Sequence, residues 1–506
     1  MKRNIKIDYW HTVILIDIIL LIFRLLWEFY RKMPLNSDEA QYWLWSRNLA
    51  LSYYSKPPLI AYLNYLSTLI LGNTVMGIRI NTILVGFILP LVHYKLAEEL
   101  FHDQKVAFWS VCVLLVMPHY SYISMVFTTD SLVLLCWSVV MLFSFRTLTR
   151  NRDTDWIIAG IFIGLGVLGK YTMILWIPVW ILAGLFMHKQ LLKIPQFYIS
   201  LIIVFLVCLP MLYWNISNSF IGAKHVLGLM GANRPPIEWG HAIGRSVGYL
   251  GGQLACLSPF LIFPFYTVFK KWVRKRIEDD YIAITYLVVS VFFVWLFFLV
   301  LSVRRNDINW TFFSFTAIPL LTGYSLVRFF RWKSRLIMVL ASAALIGIIL
   351  FPSCLDRVGM KKVYPPKIDL YHKQAGWDQL GNDVSAIIKK NRNPRKVFIF
   401  SNTYQIASEL AFYVDGQPQT YCINNERRMN QFDLWPGIDQ FKNRDYDAVY
   451  VSARPVPDWL RLSFNNCELI TMRKRIYRDE ETNSPFFIYK FTGFLGIKKH
   501  SVSERY

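Results

Sequence analysis

Charged side chains are scarce in this 506-residue chain, at 17% of residues against 55% hydrophobic. Soluble globular domains carry about 25% charged residues. A chain this far below that share, with a mean hydropathy of +0.34, is neither an ordinary soluble domain nor a disordered one. Cysteine is sparse as well. Cys112, Cys136, Cys208 and Cys256 lie in apolar runs, and only Cys354, Cys422 and Cys467 lie elsewhere, which excludes a disulfide-stapled scaffold. A Cys422–Cys467 bridge stays open for an oxidising compartment, with unpaired cysteines the simpler reading. His119, His225 and His241 show no metal-ligand spacing. Walker and GxGxxG loops are missing, which speaks against a nucleotide-driven engine.

What the chain has is long apolar runs, nearly all before Phe351. A spanning helix needs about 20 mostly apolar residues. Such runs place spans near 12–30, 75–96, 106–125, 131–147, 156–168, 170–187, 196–214, 246–269, 281–303, 310–328 and 335–351. The pair 156–168 and 170–187 is short, and reads as re-entrant or as one bent element. Leu59–Leu71 is apolar but too short to cross, and reads as a half-helix or interfacial segment. The fold class is therefore a polytopic α-helical membrane protein with roughly 11–13 transmembrane helices.

The 55 Lys+Arg against 33 Asp+Glu leave a net charge of +22. With the N-terminus on the cytoplasmic side, the basic clusters at 146–152, 270–276 and 328–335 fall on inside loops, as the positive-inside rule requires. Most of the charge is thus an orientation signal and contact with lipid headgroups, not a nucleic-acid footprint. An odd span count puts the C-terminus outside. From residue 353 the composition turns soluble. Lys396–Ser401, Asp447–Ser452 and Phe486–Phe491 read as strands and Tyr404–Tyr413 as a helix between the first two. The expected organisation is a membrane domain over 1–352, with a first outer loop at 31–60, and an extracytoplasmic α/β domain over 353–506.

Acidic residues within spans or outside are few: Asp17, Glu28, Asp38, Glu39, Asp130, Glu238 and Asp307. Each is costly at membrane depth and so a functional candidate. Asp38 and Glu39 stand first, adjacent carboxylates on an aromatic helix whose mutual repulsion can make one a useful base. The plain alternative is a helix N-cap by Ser37 or Asp38. Lys56, held by Pro57 and Pro58 at the mouth of the half-helix, suits a phosphate or snorkels to headgroups. Asp130 either caps a span or faces the Asp38 loop as a second carboxylate. Arg245, Arg304 and Arg305 break the charge rule by falling outside, and are candidate phosphate clamps.

The run SDEAQYWLWSRNLALSYYSKPPLIAYL (37–63) resembles the first outer loop of C-superfamily membrane glycosyltransferases, in the group holding aminoarabinose lipid A transferases and protein O-mannosyltransferases. FTTDSLVLLCW, LGVLGKYTMILW, INWTFFSFTAIPLL and SELAFYVDGQPQTYCINNERRMNQFDLWPG are similar to members of that group too, so the likeness covers most of the chain. It implies the superfamily fold and an inverting transferase that takes sugar from a polyprenyl-phosphate carrier. The acceptor would be lipid A, lipopolysaccharide or another glycan, or, in a protein O-glycosyltransferase, a protein. By motif, Asp38 matches the first-loop catalytic carboxylate, Glu39 its neighbour, Tyr42 the aromatic beyond, Lys56 the lysine on the lipid phosphate, and Asp130 an acidic position in the second outer loop. Tyr54 lies with Lys56 on the donor-phosphate side. Gln41 stands where the aminoarabinose transferases have Arg, and Ser55 where they have Glu. The second departure speaks against a metal held by the residue before the lysine, and a polyprenyl phosphate leaves well enough that no metal or other cofactor is required. The soluble tail is expected to cover the acceptor site as a lid. The rival from another class is a transporter or flippase of lipid-linked sugars; such proteins carry internal repeats, and none is visible here.

Overall fold

The computed structural model describes residues 8–150, 152–231, 238–305, 307–424 and 427–497, without the side chains of 482 and 483. In chain order the helices are α1 (Tyr9–Arg31), α2 (Ser37–Ser46), α3 (Leu59–Leu71), α4 (Val75–Phe101), α5 (Gln104–Leu115), α6 (Pro118–Ile123), α7 (Thr129–Thr149), α8 (Asp153–Gly169), α9 (Trp176–Phe186), α10 (Pro195–Ser217), α11 (Ile221–Leu229), α12 (Trp239–Ala255), α13 (Pro259–Val273), α14 (Tyr281–Ser302), α15 (Ala317–Phe329), α16 (Trp332–Leu350), α17 (Ser353–Arg357), α18 (Trp377–Lys389), α19 (Tyr404–Tyr413) and α20 (Asp458–Arg461). The strands are β1 (Val397–Ser401), β2 (Thr420–Cys422), β3 (Asp447–Ser452), β4 (Phe464–Tyr477) and β5 (Glu480–Phe494).

Internal contacts divide the chain into two compact units. The first holds Met1–Tyr30, Lys56–Leu63 and Arg79–Leu350; the second holds Arg31–Ser55, Asn64–Ile78 and Phe351–Tyr506. Composition divides the chain once, near residue 352. The contacts instead put most of the first outer loop with the later residues, because the aromatic face of α2 packs on α19.

In the first unit, every apolar run read from the sequence is helical, but several are interrupted. Among the described residues, six segments are long and apolar enough to cross a membrane, or seven if the bent pair α12–α13 is one span. That pair turns by 101° at Ser258–Pro259, where proline cannot extend the preceding helix. The run at 106–125 breaks ahead of Pro118 in the same way, and 310–328 begins as the 3-10 turn Ile308–Thr316. Ile308–Phe329 and α7 are the most enclosed of these segments, at 83% and 78% buried, and α16 is the least, at 11%. α8 and α10 approach closely because Gly160 and Gly164 leave room: a Cβ there would meet the Ser200 backbone at 2.8 Å and Val207 at 2.7 Å.

The second unit is built on a five-stranded sheet in the order β2-β1-β3-β5-β4. β1 pairs in parallel with β2 and β3, and β5 runs antiparallel to β3 and β4. α18 and α19 cover one face through Trp377, Leu380, Ile406 and Leu410 on Ile399, Val449 and Ile488. The other face is an aromatic cluster of Phe398, Phe400, Phe464 and Phe491. The three expected strands and the helix Tyr404–Tyr413 are present, the last strand as part of the longer β5. All seven cysteines are free.

Candidate functional site

Residues 31–55, in the second unit, sort their two adjacent carboxylates. The N-cap of α2 is Asn36, whose Oδ1 accepts the Asp38 N–H at 3.0 Å, while Glu39 Oε2 accepts the Asn36 N–H at 2.8 Å. This reciprocal box satisfies backbone donors that the first turn would leave open. Glu39 is wholly buried and serves the helix. Asp38 is exposed. The Tyr404 hydroxyl, at the start of α19, lies 3.5 Å from its Oδ1. Burial pushes the Tyr404 phenol well above its ordinary value, the Asp38 carboxylate adds to the rise, and Arg428 opposes it. Tyr404 therefore stays protonated, a donor toward Asp38.

Aromatic packing fixes the rest of the loop. Tyr42 and Tyr54 are buried at 4% and 2% exposure. Tyr42 lies against Trp45, which stacks on Tyr53 at 4.5 Å. Trp43 sets its edge on Phe412 at 4.9 Å. Gln41, the departure from the aminoarabinose pattern, is buried, and Ser55 is half-buried.

The remaining candidates lie in the first unit. Lys56 is half-buried ahead of the buried Pro57 and Pro58, and the Pro58 carbonyl accepts from Ala61 and Tyr62 to open α3. A Cβ on Gly169 would meet Leu132 at 3.5 Å, Val133 at 3.6 Å and Leu59 at 3.9 Å, so the start of α3 lies beside α7 and the end of α8. There Asp130, in the first turn of α7, pairs with Lys170 at 2.7 Å, their side chains 13% and 7% exposed. Sequence reasoning missed Lys170. Its signal was the lone cation interrupting two short apolar runs, and the structure shows it extended between α8 and a 3-10 turn.

Arg245, Arg304 and Arg305 are engaged within the protein. Arg245 donates to the Val303 carbonyl from Nε at 3.0 Å and Nη2 at 2.6 Å, and Arg304 donates to the Gly231 carbonyl at 3.1 Å. Val303 caps the end of α14, where backbone carbonyls lose their helical partners. Arg305 is ion-paired with Asp307. Of the other acidic candidates, Glu28 pairs with the buried Arg79 at 2.9 Å and Glu238 with His241 at 3.0 Å, on the surface. Asp17 is wholly buried. Among the described residues, no group of three or more His, Cys, Asp and Glu side chains is placed to hold a metal ion.

This architecture, a helical unit with several apolar spans and a small sheet-bearing unit, recurs in solved structures. The crystal structure of ArnT from Cupriavidus metallidurans in the apo state superposes with a TM-score of 0.62 at 14% identity, over 96% of this chain and 99% of that one. The same protein bound to undecaprenyl phosphate gives 0.63 at 15% identity, over 94% and 97%. Identities this low establish the shared fold. In sequence, residues 55–214 match the family described as dolichyl-phosphate-mannose-protein mannosyltransferase, a stretch that holds Lys56, Asp130 and Lys170. The lipid A galacturonosyltransferase RgtD of Rhizobium johnstonii is 27% identical over 62% of this chain and 65% of its own length. An undecaprenyl phosphate-alpha-4-amino-4-deoxy-L-arabinose arabinosyl transferase of Photorhabdus laumondii is 26% identical over 34% of this chain and 33% of its own. The chain thus spans less than two thirds of these curated relatives. The resemblance read from its motifs holds in sequence and in fold.

Proposed function

We propose that this protein is an inverting glycosyltransferase that moves a sugar from a polyprenyl-phosphate carrier to an envelope glycolipid or glycan, on the outer face of the membrane. The observation that carries the reading is the division of labour in the first outer loop: a capped helix end consumes Glu39 and leaves Asp38 exposed, with a protonated tyrosine beside it. In the reaction, the acceptor hydroxyl oxygen attacks the anomeric carbon and passes its proton to the Asp38 carboxylate. The bond from that carbon to the carrier phosphate breaks, and the phosphate departs with the electron pair. Lys56 holds its charge as the oxocarbenium-like state forms. Asp130 sets Lys170 in place near the start of α3, and Arg245, Arg304 and Arg305 reach a phosphate only by leaving their present partners. RgtD, the relative with the longest match described above, is named for lipid A, which favours a glycolipid over a protein acceptor.

Mass spectrometry of envelope lipids, glycans and proteins, comparing cells with the intact gene against cells carrying Asp38→Asn, tests this. The expected difference is one sugar on one class of envelope molecule. Identical profiles, with both proteins present in the membrane at equal amounts, would refute it.

A further inference from the structure

We propose that Gln431 is a positioning residue for the phosphate-binding end of the first outer loop. The inference rests on the reading of Lys56 as the contact to the carrier phosphate, and it goes beyond that reading by naming what sets the lysine.

The Tyr54 backbone N–H donates to Gln431 Oε1 at 2.7 Å, with Gln431 only 4% exposed. A loop amide buried this way must find an acceptor inside the protein, and the one it finds is a side chain more than 370 residues later. The turn that carries it is itself held. Gln431 opens a 3-10 turn (Gln431–Leu434) capped by Asn430, whose Oδ1 accepts the Phe432 N–H at 2.9 Å while Asp433 Oδ2 accepts the Asn430 N–H at 2.7 Å. Arg427 grips Asp433 from both terminal nitrogens, at 2.8 and 2.9 Å. Asn430 Nδ2 reaches Cys422 Sγ of β2 at 3.6 Å. The acceptor atom is thus tied to the sheet through a chain of buried polar contacts.

Lys56 follows Tyr54 by two residues, at most about 7 Å of extended chain, so fixing that amide bounds how far the lysine can stray from it. Pro57 and Pro58 set φ on its other side. The earlier loop is pinned by the same stretch of chain: Leu35 N–H donates to the Tyr413 hydroxyl at 2.6 Å, and Arg47 donates to the Gln417 carbonyl at 2.6 Å. Tyr413, Gln417 and Gln431 together hold the loop at three points along its length.

The test uses the full-length protein in nanodiscs and a short-chain polyprenyl phosphate as the probe. Gln431→Leu removes the acceptor at similar volume, and Gln431→Glu keeps an oxygen at the same reach. Gln431→Leu is expected to weaken binding of the probe about ten-fold, as small misplacements of a binding group do, and to lower the melting temperature slightly, since the Tyr54 amide is left buried without its acceptor. Gln431→Glu should recover most of that loss. On a Lys56→Ala background, Gln431→Leu should weaken binding no further, because the two act through one contact. Unchanged binding in the Leu variant, an additive loss on the Lys56→Ala background, or equal loss of binding and melting temperature in both Gln431 variants would overturn the proposal. Should Lys56→Ala itself leave binding unchanged, the phosphate role of Lys56 fails instead.

Discussion

Asp38→Asn and Glu39→Gln make the same small chemical change at neighbouring positions, and the structure assigns them opposite outcomes. Asp38 is exposed, so replacing its carboxylate should remove the proposed base at small cost in stability. General-base catalysis contributes about 10²–10⁴-fold, equivalent to about 3–5 kcal/mol of barrier at roughly 1.4 kcal/mol per decade. Asp38→Asn should therefore lose that much turnover at a nearly unchanged melting temperature. Glu39 is buried and accepts the Asn36 N–H at 2.8 Å, a bond that a glutamine oxygen also makes. Glu39→Gln should keep turnover within two- to three-fold, by the logic of the S/T-x-x-E/Q box. Glu39→Ala loses the bond, and should cost about 0.5–2 kcal/mol of stability, the usual range for a helix cap. Sugar transfer from a synthetic polyprenyl-phosphate donor and thermal unfolding, measured on the same nanodisc samples, separate these effects. A Glu39→Gln variant as slow as Asp38→Asn and equally stable would refute the reasoning, since it would make the buried carboxylate a chemical participant.

Three further outcomes follow from the geometry. Removing one partner of the buried Asp130–Lys170 pair should destabilise the protein by about 3–5 kcal/mol, whereas Asp130→Asn with Lys170→Met should cost much less than the two singles together; additive losses in chemical unfolding would count against a coupled pair. Tyr404→Phe should lower transfer modestly and leave donor binding alone, because the raised phenol donates throughout the neutral range and only that donor is lost; a change confined to donor affinity would contradict this. Arg478 beside Asp356 holds its carboxyl below the usual carboxylate range. A depressed carboxylate contributes its stability at neutral pH and loses it as pH falls through the lowered value. The β4–β5 turn should therefore loosen only in acid, and Asp356→Asn should abolish that acid step in hydrogen exchange of residues 476–480.

The apolar runs were legible because lipid demands length and internally bonded backbone, but the breaks ahead of Pro118 and Pro259, inside runs read as continuous, were not anticipated although the prolines stand in the sequence. β4 was not legible. Its segment FNNCELITMRKRIY is exposed along most of both faces, so it shows none of the alternation that marks a half-buried strand. The cap of α2 was misplaced by one or two residues: Asn36-Ser37-Asp38-Glu39 has the box spacing, but three successive capping residues compete for the position, and only the partner of Glu39 decides. The arginines at 245, 304 and 305 stood out by charge, yet two of them meet main-chain carbonyls, and a carbonyl left open at a helix end leaves no mark in the sequence. Gln431 was equally silent, since its partner is a backbone amide.

The assignment of residues 31–55 and 64–78 to the unit completed by residues 351–506 has a consequence for how the protein is made. Synthesis delivers the first loop early, and the surfaces that receive Trp43 and Tyr54 emerge only after the whole membrane bundle. Contacts of such sequence separation form late, so the loop passes through biogenesis with aromatic side chains uncovered, and a nascent chain stopped before α19 cannot complete it. Activity should then appear abruptly with chain length instead of growing with each added helix. Residues 351–506 expressed alone should show the opposite deficit, an exposed apolar strip on α19 where Trp43 belongs.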